Sequence, residues 1–250
     1  MKVFLSSLEQ RGAKTFDYID ENTEYFKWNL MSYYYIQKCD KTVQRIIDKS
    51  ELILIDSGAH SFQKGAKVDW FEYTKQYAQW IKENDCEKII GYFEMDVDNV
   101  IGYDNVLKLR AILESVSNKI IPVWHKNRGI QDFVDMCKKY SGKIIAITGF
   151  RNEDIKDEQY IKFLKVAKKY NCKVHCLGMT RKGILDKVPF DYTDSASWAL
   201  QVAFGKVGDV KVSREMTRGE NLTYVTCASY KDGIKFQEHY YNKWKYLHKD

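Results

Sequence analysis

LILIDSGAHSF, Leu52 to Phe62, opens with four branched apolar residues in a row, stops at Asp56 and turns at Ser57 and Gly58. A short continuous apolar run closed by a turn signal reads as a strand buried on both faces, the kind that parallel sheets contain. Downstream, Trp70, Tyr73, Tyr77, Trp80 and Ile81 recur at helical spacing, which predicts an amphipathic helix packed on that strand. Strand, loop and helix form a unit that recurs in both directions along the chain. Eight candidate strands result: Val3 to Leu8, Asn29 to Ile36, Leu52 to Asp56, Lys88 to Met95, Lys119 to Trp124, Lys143 to Thr148, Lys173 to Leu177 and Pro189 to Thr193. Tyr160, Phe163, Leu164 and Ala167 mark another of the intervening helices. This alternation predicts parallel strands joined by crossover helices, in an open doubly wound sheet or in a barrel. A count of eight selects the barrel, a TIM-type (β/α)8 fold of the α/β class.

The length of 250 residues and the 44% hydrophobic content fit one such domain. With two prolines and no Ser/Gly-rich linker, nothing marks a boundary before about residue 205. Beyond Phe204 a Gly-flanked polar stretch leads into a Tyr- and Lys-rich tail, Tyr224 to Asp250, expected as a closing helix with a solvated basic face. The expected organisation is a barrel over 1–205 and a C-terminal extension over 206–250 packed on it. Apolar runs such as Leu52 to Ile55 and Ile144 to Ile147 fall far short of the roughly twenty residues of a membrane helix. The opening MKVFLSSLEQRG is too briefly apolar for a secretory signal, so the expected location is the cytoplasm. Six scattered cysteines without an export signal read as free thiols. The net charge of +6, from 40 basic and 34 acidic residues, permits a nucleic-acid partner without requiring one.

In a barrel the chemistry sits at the C-terminal ends of the strands. From the third strand onward these ends carry Asp56, then Asp96 and Asp98, then Trp124 and His125, then Gly149, Gly178 and Asp194. Each carboxylate has a bland account. Asp194, before Ser195, Ala196 and Ser197, suits a helix N-cap; Asp56, before Ser57 and Gly58, suits a tight turn; Asp98 and Asp104 suit solvated or capping positions. A shared site at the barrel mouth is the competing account. His125 is either a base or stacking element there or a strand-end histidine with a satisfied hydrogen bond. Cys172, His175 and Cys176 invite a zinc reading, but on a strand the two cysteines share one face and His175 takes the other, so no metal is expected. No cysteine lies in a nucleophile setting, and neither GxxxxGKS nor GxGxxG occurs, which weighs against nucleoside-triphosphate and dinucleotide chemistry. No cofactor is expected.

At these residues the sequence resembles the tRNA-guanine transglycosylase superfamily, above all its short, often phage-borne relatives that act as deazapurine DNA transglycosylases. LIDSGAHSF at Leu54 to Phe62 looks like the family's Asp-Ser-Gly-Gly-Phe motif, which implies a general acid/base role for Asp56, with Ser57, Gly58 and Phe62 beside the base. FEMDVD at Phe93 to Asp98 stands where the family has a base-recognising aspartate, Asp96 or, one register away, Asp98. IAITGF at Ile145 to Phe150 resembles the glycine segment lining the base pocket and places Gly149 there. VHCLGMT at Val174 to Thr180 is similar to an archaeal-type His-x-x-Gly patch and implies base-pocket positions for His175 and Gly178. FDYTDSASW at Phe190 to Trp198 looks like the nucleophile segment and implies that role for Asp194. The resemblance covers roughly residues 50 to 200. Two departures stand out: Trp124 and His125 replace the base-reading Gln-Gly pair, and the zinc-binding Cys-x-Cys-x-x-Cys run has no counterpart, Cys227 standing alone.

The resemblance implies exchange of guanine in a polynucleotide for a free 7-deazaguanine such as preQ0, with DNA favoured over tRNA. Asp194 would attack C1′, Asp56 would shuttle the proton, and Asp96 would accept hydrogen bonds from the purine edge. The target nucleotide would have to be flipped out or single-stranded, with Trp124, Phe62 or Tyr92 able to stack on its base. Arg181, Lys182, Arg214 and Arg218 are candidates for backbone contacts. A tRNA-acting enzyme, a hydrolytic nucleobase glycosylase and an inert nucleic-acid-binding barrel are the alternatives.

Overall fold

The computed structural model describes residues 1–62, 67–148, 155–204 and 215–247. Nine strands form one sheet: β1 (Lys2–Ser6), β2 (Phe26–Ser32), β3 (Ser50–Asp56), β4 (Ile89–Phe93), β5 (Ile120–Ile121), β6 (Val123–Trp124), β7 (Ile144–Thr148), β8 (Lys173–Leu177) and β9 (Tyr192–Ser195). The order is β5-β4-β3-β2-β1-β9-β8-β7-β6, and each ladder is parallel. The two outermost strands are consecutive in the chain, so the sheet curls into a nearly closed barrel. Helices α1 (Ala13–Glu21), α2 (Tyr33–Ile36), α3 (Lys41–Lys49), α4 (Trp70–Asn84), α5 (Asp98–Ile101), α6 (Tyr103–Glu114), α7 (Gly129–Lys139), α8 (Tyr160–Lys169), α9 (Lys182–Leu185) and α10 (Ser197–Ala203) punctuate the strands, and α11 (Arg218–Trp244) follows.

Where one strand was expected over Lys119 to Trp124, two short ones occur, and the reason is Pro122. Proline has no N–H to give a ladder. Pairing with β4 ends at the Glu94 N–H donating to Ile121 O at 3.1 Å, and pairing with β7 begins at the Ala146 N–H donating to Pro122 O at 2.9 Å. At this seam the Val123 N–H turns to a side chain, Glu94 Oε1, at 2.5 Å. The carboxylate is buried and clamped from its other side by Arg110 of α6, whose Nε and Nη2 donate at 2.5 and 3.0 Å. Other strand ends also differ from expectation, the fourth strand stopping at Phe93 where Met95 was expected. The first strand stops at Ser6, where Ser7 takes a left-handed φ of 78°; the second stops at Ser32 and passes into α2; the last runs Tyr192–Ser195, which places Asp194 within the strand.

Side chains alternate across each strand, one facing the barrel axis and the next the helices. The axis is filled by Phe4, Trp28, Leu30, Leu54, Phe93, Ile121, Val123, Ala146 and Tyr192, all buried. Burial of a side chain of this size stabilises the fold by about 1.5–3 kcal/mol. Gly91 makes room for this layer, since a Cβ there would lie 2.4 Å from Ile121 Cδ1. The opposite parity, including Leu5, Ile53, Ile55 and Tyr92 on one side and Val3, Ile145, Ile147, Val174 and Cys176 on the other, packs under the helices.

Helix α11 starts with a capping box between Thr217 and Glu220 and lies on the outside of β1 and β2. Buried polar contacts fix it there: Gln237 Nε2 donates to Val3 O at 2.7 Å and to Trp28 O at 2.6 Å, and Tyr230 Oη donates to Asn29 Oδ1 at 2.9 Å. The boundary expected between 205 and 206 lies outside the described residues. No described helix is long and apolar enough to cross a membrane. All six cysteines are unbridged.

Candidate active site

The parity that fills the barrel also builds its mouth. One step of two residues beyond Leu54 is Asp56, beyond Val123 is His125, beyond Tyr192 is Asp194 and beyond Leu30 is Ser32. All four line a cavity of about 800 Å³ at the C-terminal end of the barrel. Asp96, from the loop after β4, reaches the same cavity, as do His60 from the loop after β3 and Gly178 from the loop after β8. Three aspartates thus converge on one space.

Their settings differ. Asp194 Oδ1 accepts from the Gly178 N–H at 2.8 Å and pairs with His175 Nε2 at 2.9 Å. His175 is fully buried on the barrel axis, its ring 4.9 Å from Phe93 and 6.4 Å from Phe4, and its Nδ1 has no partner. Helix α10 starts only at Ser197 with Ala196 at its N-cap, so Asp194 caps nothing. Asp56 does take a turn contact, accepting the Gly58 N–H at 2.8 Å on Oδ2. Gly58 has φ of 76°, and a Cβ there would meet Tyr34 Cβ at 2.5 Å, so this turn admits glycine alone. Burial pushes the Asp56 carboxyl above its ordinary value. The charges of Asp194 and Asp96 add to this, against the Gly58 amide and His60.

Asp96 is the counter-case. Burial by itself would raise its pKa, but hydrogen bonds from His125 at 2.6 Å and His60 at 3.3 Å outweigh that and hold it well below the usual carboxylate range. The same bonds raise both histidines, for His125 against its burial. Asp96, Asp98 and His125 each bring a ligand atom within 4.8 Å of the others, a spacing that could hold a cation, although the bond between His125 and Asp96 already engages two of the three.

The remaining candidates take other places. Ser57 is buried, its carbonyl accepting from Tyr73 Oη at 2.9 Å. Phe62 packs edge-on among Tyr34, Trp70 and Tyr73. Trp124 has the outward parity, packs on Phe133 and Phe163, and donates to Gly129 O at 3.1 Å, so it does not reach the cavity. Tyr92 faces outward too, bonded to Asp85 at 2.7 Å. Gly149 and Arg214 lie outside the described residues. Arg181 is tied to Asp157 at 2.6 Å, and Lys182 and Arg218 open α9 and α11.

Three cavity residues escaped the sequence reading. His60 sits four positions after Asp56 in the motif, a usable signal. Tyr35, 49% exposed, lines the mouth as the aromatic that Trp124 and Tyr92 do not supply; it was hidden inside an expected strand. Glu9 follows the unforeseen end of β1. Its Oε1 accepts the Ser32 N–H at 3.2 Å, its Oε2 is buried without a partner, and burial pushes its carboxyl up to about 7 against its own backbone amide, the Ser32 amide, the Gln10 side chain and Arg11. No protein-family model, curated protein or solved structure matches this chain, so the likeness to transglycosylases rests on its motifs alone.

Proposed function

We propose that this protein is a transglycosylase that exchanges guanine in a polynucleotide, DNA in preference to tRNA on the resemblance, for a free 7-deazaguanine. The observation that carries the reading is the convergence of Asp56, Asp96 and Asp194 on one cavity in three different electrostatic settings. On the same reading β5 and β6 are one strand interrupted at Pro122, which makes the barrel a (β/α)8 barrel.

Asp194 Oδ1 is held by His175 and Gly178, which leaves Oδ2 to form the bond to C1′ as the bond from C1′ to guanine N9 breaks. The electron pair of that bond leaves with the base, and Asp56, whose burial favours its protonated form, gives the base a proton. Asp56 then takes the N9 proton of the incoming base, whose nitrogen attacks C1′ and releases the Asp194 carboxylate. Two displacements retain configuration. Asp96, kept anionic by two histidines, accepts from the donor edge of the purine. Tyr35 at the mouth suits stacking on a neighbouring base.

Incubation of the protein with DNA oligonucleotides and labelled guanine or 7-deazaguanine, followed by nucleoside mass spectrometry, should show incorporation. Asp194→Asn should stay folded and lose it. Wild-type exchange in Asp194→Ala would remove the nucleophile assignment. Abasic sites in place of exchanged bases would identify a hydrolytic glycosylase.

A further inference from the structure

We propose that Glu9 is a ligand-binding residue of this cavity, acting as a neutral carboxylic acid that donates a hydrogen bond from Oε2 to an acceptor atom of the bound base. The proposal rests on the nucleobase reading for the choice of ligand. Three aspartates in the cavity offer acceptors to the ligand's N–H groups, yet a guanine-type base also carries a carbonyl oxygen, which only a donor can satisfy. Glu9 lines the cavity and has one carboxyl oxygen uncommitted for that task. Oε1 is committed to the Ser32 N–H, so a proton on the carboxyl belongs on Oε2, the oxygen that is buried and unpartnered. Ser32 pairs in register with Asp56 across β2 and β3, and β1 lies between β2 and β9, the strand of Asp194. Glu9 therefore stands on the rim between the proposed proton carrier and the proposed nucleophile.

Burial favours the neutral form, and Asp56 and Asp194 line the same cavity from β3 and β9. Against burial act the Glu9 and Ser32 backbone amides, the Gln10 side chain, which also donates to Ser7 Oγ at 3.1 Å, and Arg11, whose Nε donates to Ser7 O at 3.2 Å. Tyr35, His60, Asp96 and His125 are the other titratable groups that line the cavity. A carboxyl that titrates at about 7 is still protonated in part at neutral pH.

The test is calorimetric binding of 7-deazaguanine to the full-length protein from pH 5.5 to 8.5, for the wild type, Glu9→Gln and Glu9→Ala. Glutamine keeps a donor that does not titrate. The wild type should lose affinity about tenfold as pH rises through 7, Glu9→Gln should lack that loss, and Glu9→Ala should bind at least tenfold more weakly at pH 6. The histidines of the cavity titrate in all three proteins, so a loss of affinity that persists unchanged in Glu9→Gln belongs to them and overturns the proposal. Equal binding by Glu9→Ala and wild type at pH 6 also overturns it. Binding with the expected pH profile but no base exchange would sink the transglycosylase reading and leave Glu9 in its role. Absence of 7-deazaguanine binding at every pH overturns both.

Discussion

Glu9→Gln should make the protein more stable at pH 8 and change little at pH 4.5, whatever the cavity binds. Folding carries the Glu9 carboxyl from an ordinary 4.5 to about 7, because burial disfavours its anion. At about 1.4 kcal/mol per pH unit, that difference amounts to roughly 3 kcal/mol. The sign follows from proton binding. Between 4.5 and 7 the folded state holds a proton that the unfolded chain has released, so stability is fully present below 4.5 and is lost as pH rises through 7. Glutamine keeps the oxygen that accepts the Ser32 N–H and has no charge to bury. Urea unfolding followed by tryptophan fluorescence gives the comparison directly. The gap between the two proteins should widen by roughly 3 kcal/mol from pH 4.5 to pH 8, or by about 6–12 °C in Tm for a chain of this size. Asp56, Asp96 and the histidines titrate equally in both proteins and cancel in the difference. A gap that stays constant within about 0.5 kcal/mol would refute the claim that burial governs this carboxyl.

Arg110→Met should cost about 3–5 kcal/mol in urea unfolding, because it strands Glu94 as a buried anion at the Pro122 seam, and adding Glu94→Gln should recover most of that loss. Gly91→Ala should cost about 1–3 kcal/mol by driving a methyl into Ile121, and Ile121→Val in the same chain should relieve it; equal stability of the single and double variants would count against the close packing. His175→Leu should slow base exchange about ten- to a hundredfold with little change in base affinity, since one bond to the Asp194 carboxylate is removed; unchanged exchange would free Asp194 of its need for that partner.

The alternation of apolar runs and amphipathic segments was enough to read parallel strands joined by helices, because strands buried on both faces read as short apolar runs, and the choice of a barrel over an open sheet rested on the strand count. The site was readable where it obeyed the two-residue step: Asp56 and His125 stand one step past residues that fill the axis. The same step, applied to Trp124 and Tyr92, sends them outward, and chemical suitability for stacking had obscured that. Pro122 was visible, but its effect depended on Glu94 and Arg110 closing the gap from elsewhere in the chain. Glu9 gave no local signal. Its value lies in a backbone amide of β2 and in burial by segments far along the sequence, neither of which a composition or a period can show.

The anchoring of α11 on the first two strands has a consequence for how the protein is made. Gln237 and Val3 are 234 positions apart, so the outer face of β1 is covered by a helix synthesised more than two hundred residues after it. Until α11 is made, Val3 and Leu5 lack the cover they have in the folded protein. The helix that covers β1 is also the one whose later synthesis sets how long an unfinished chain stays vulnerable.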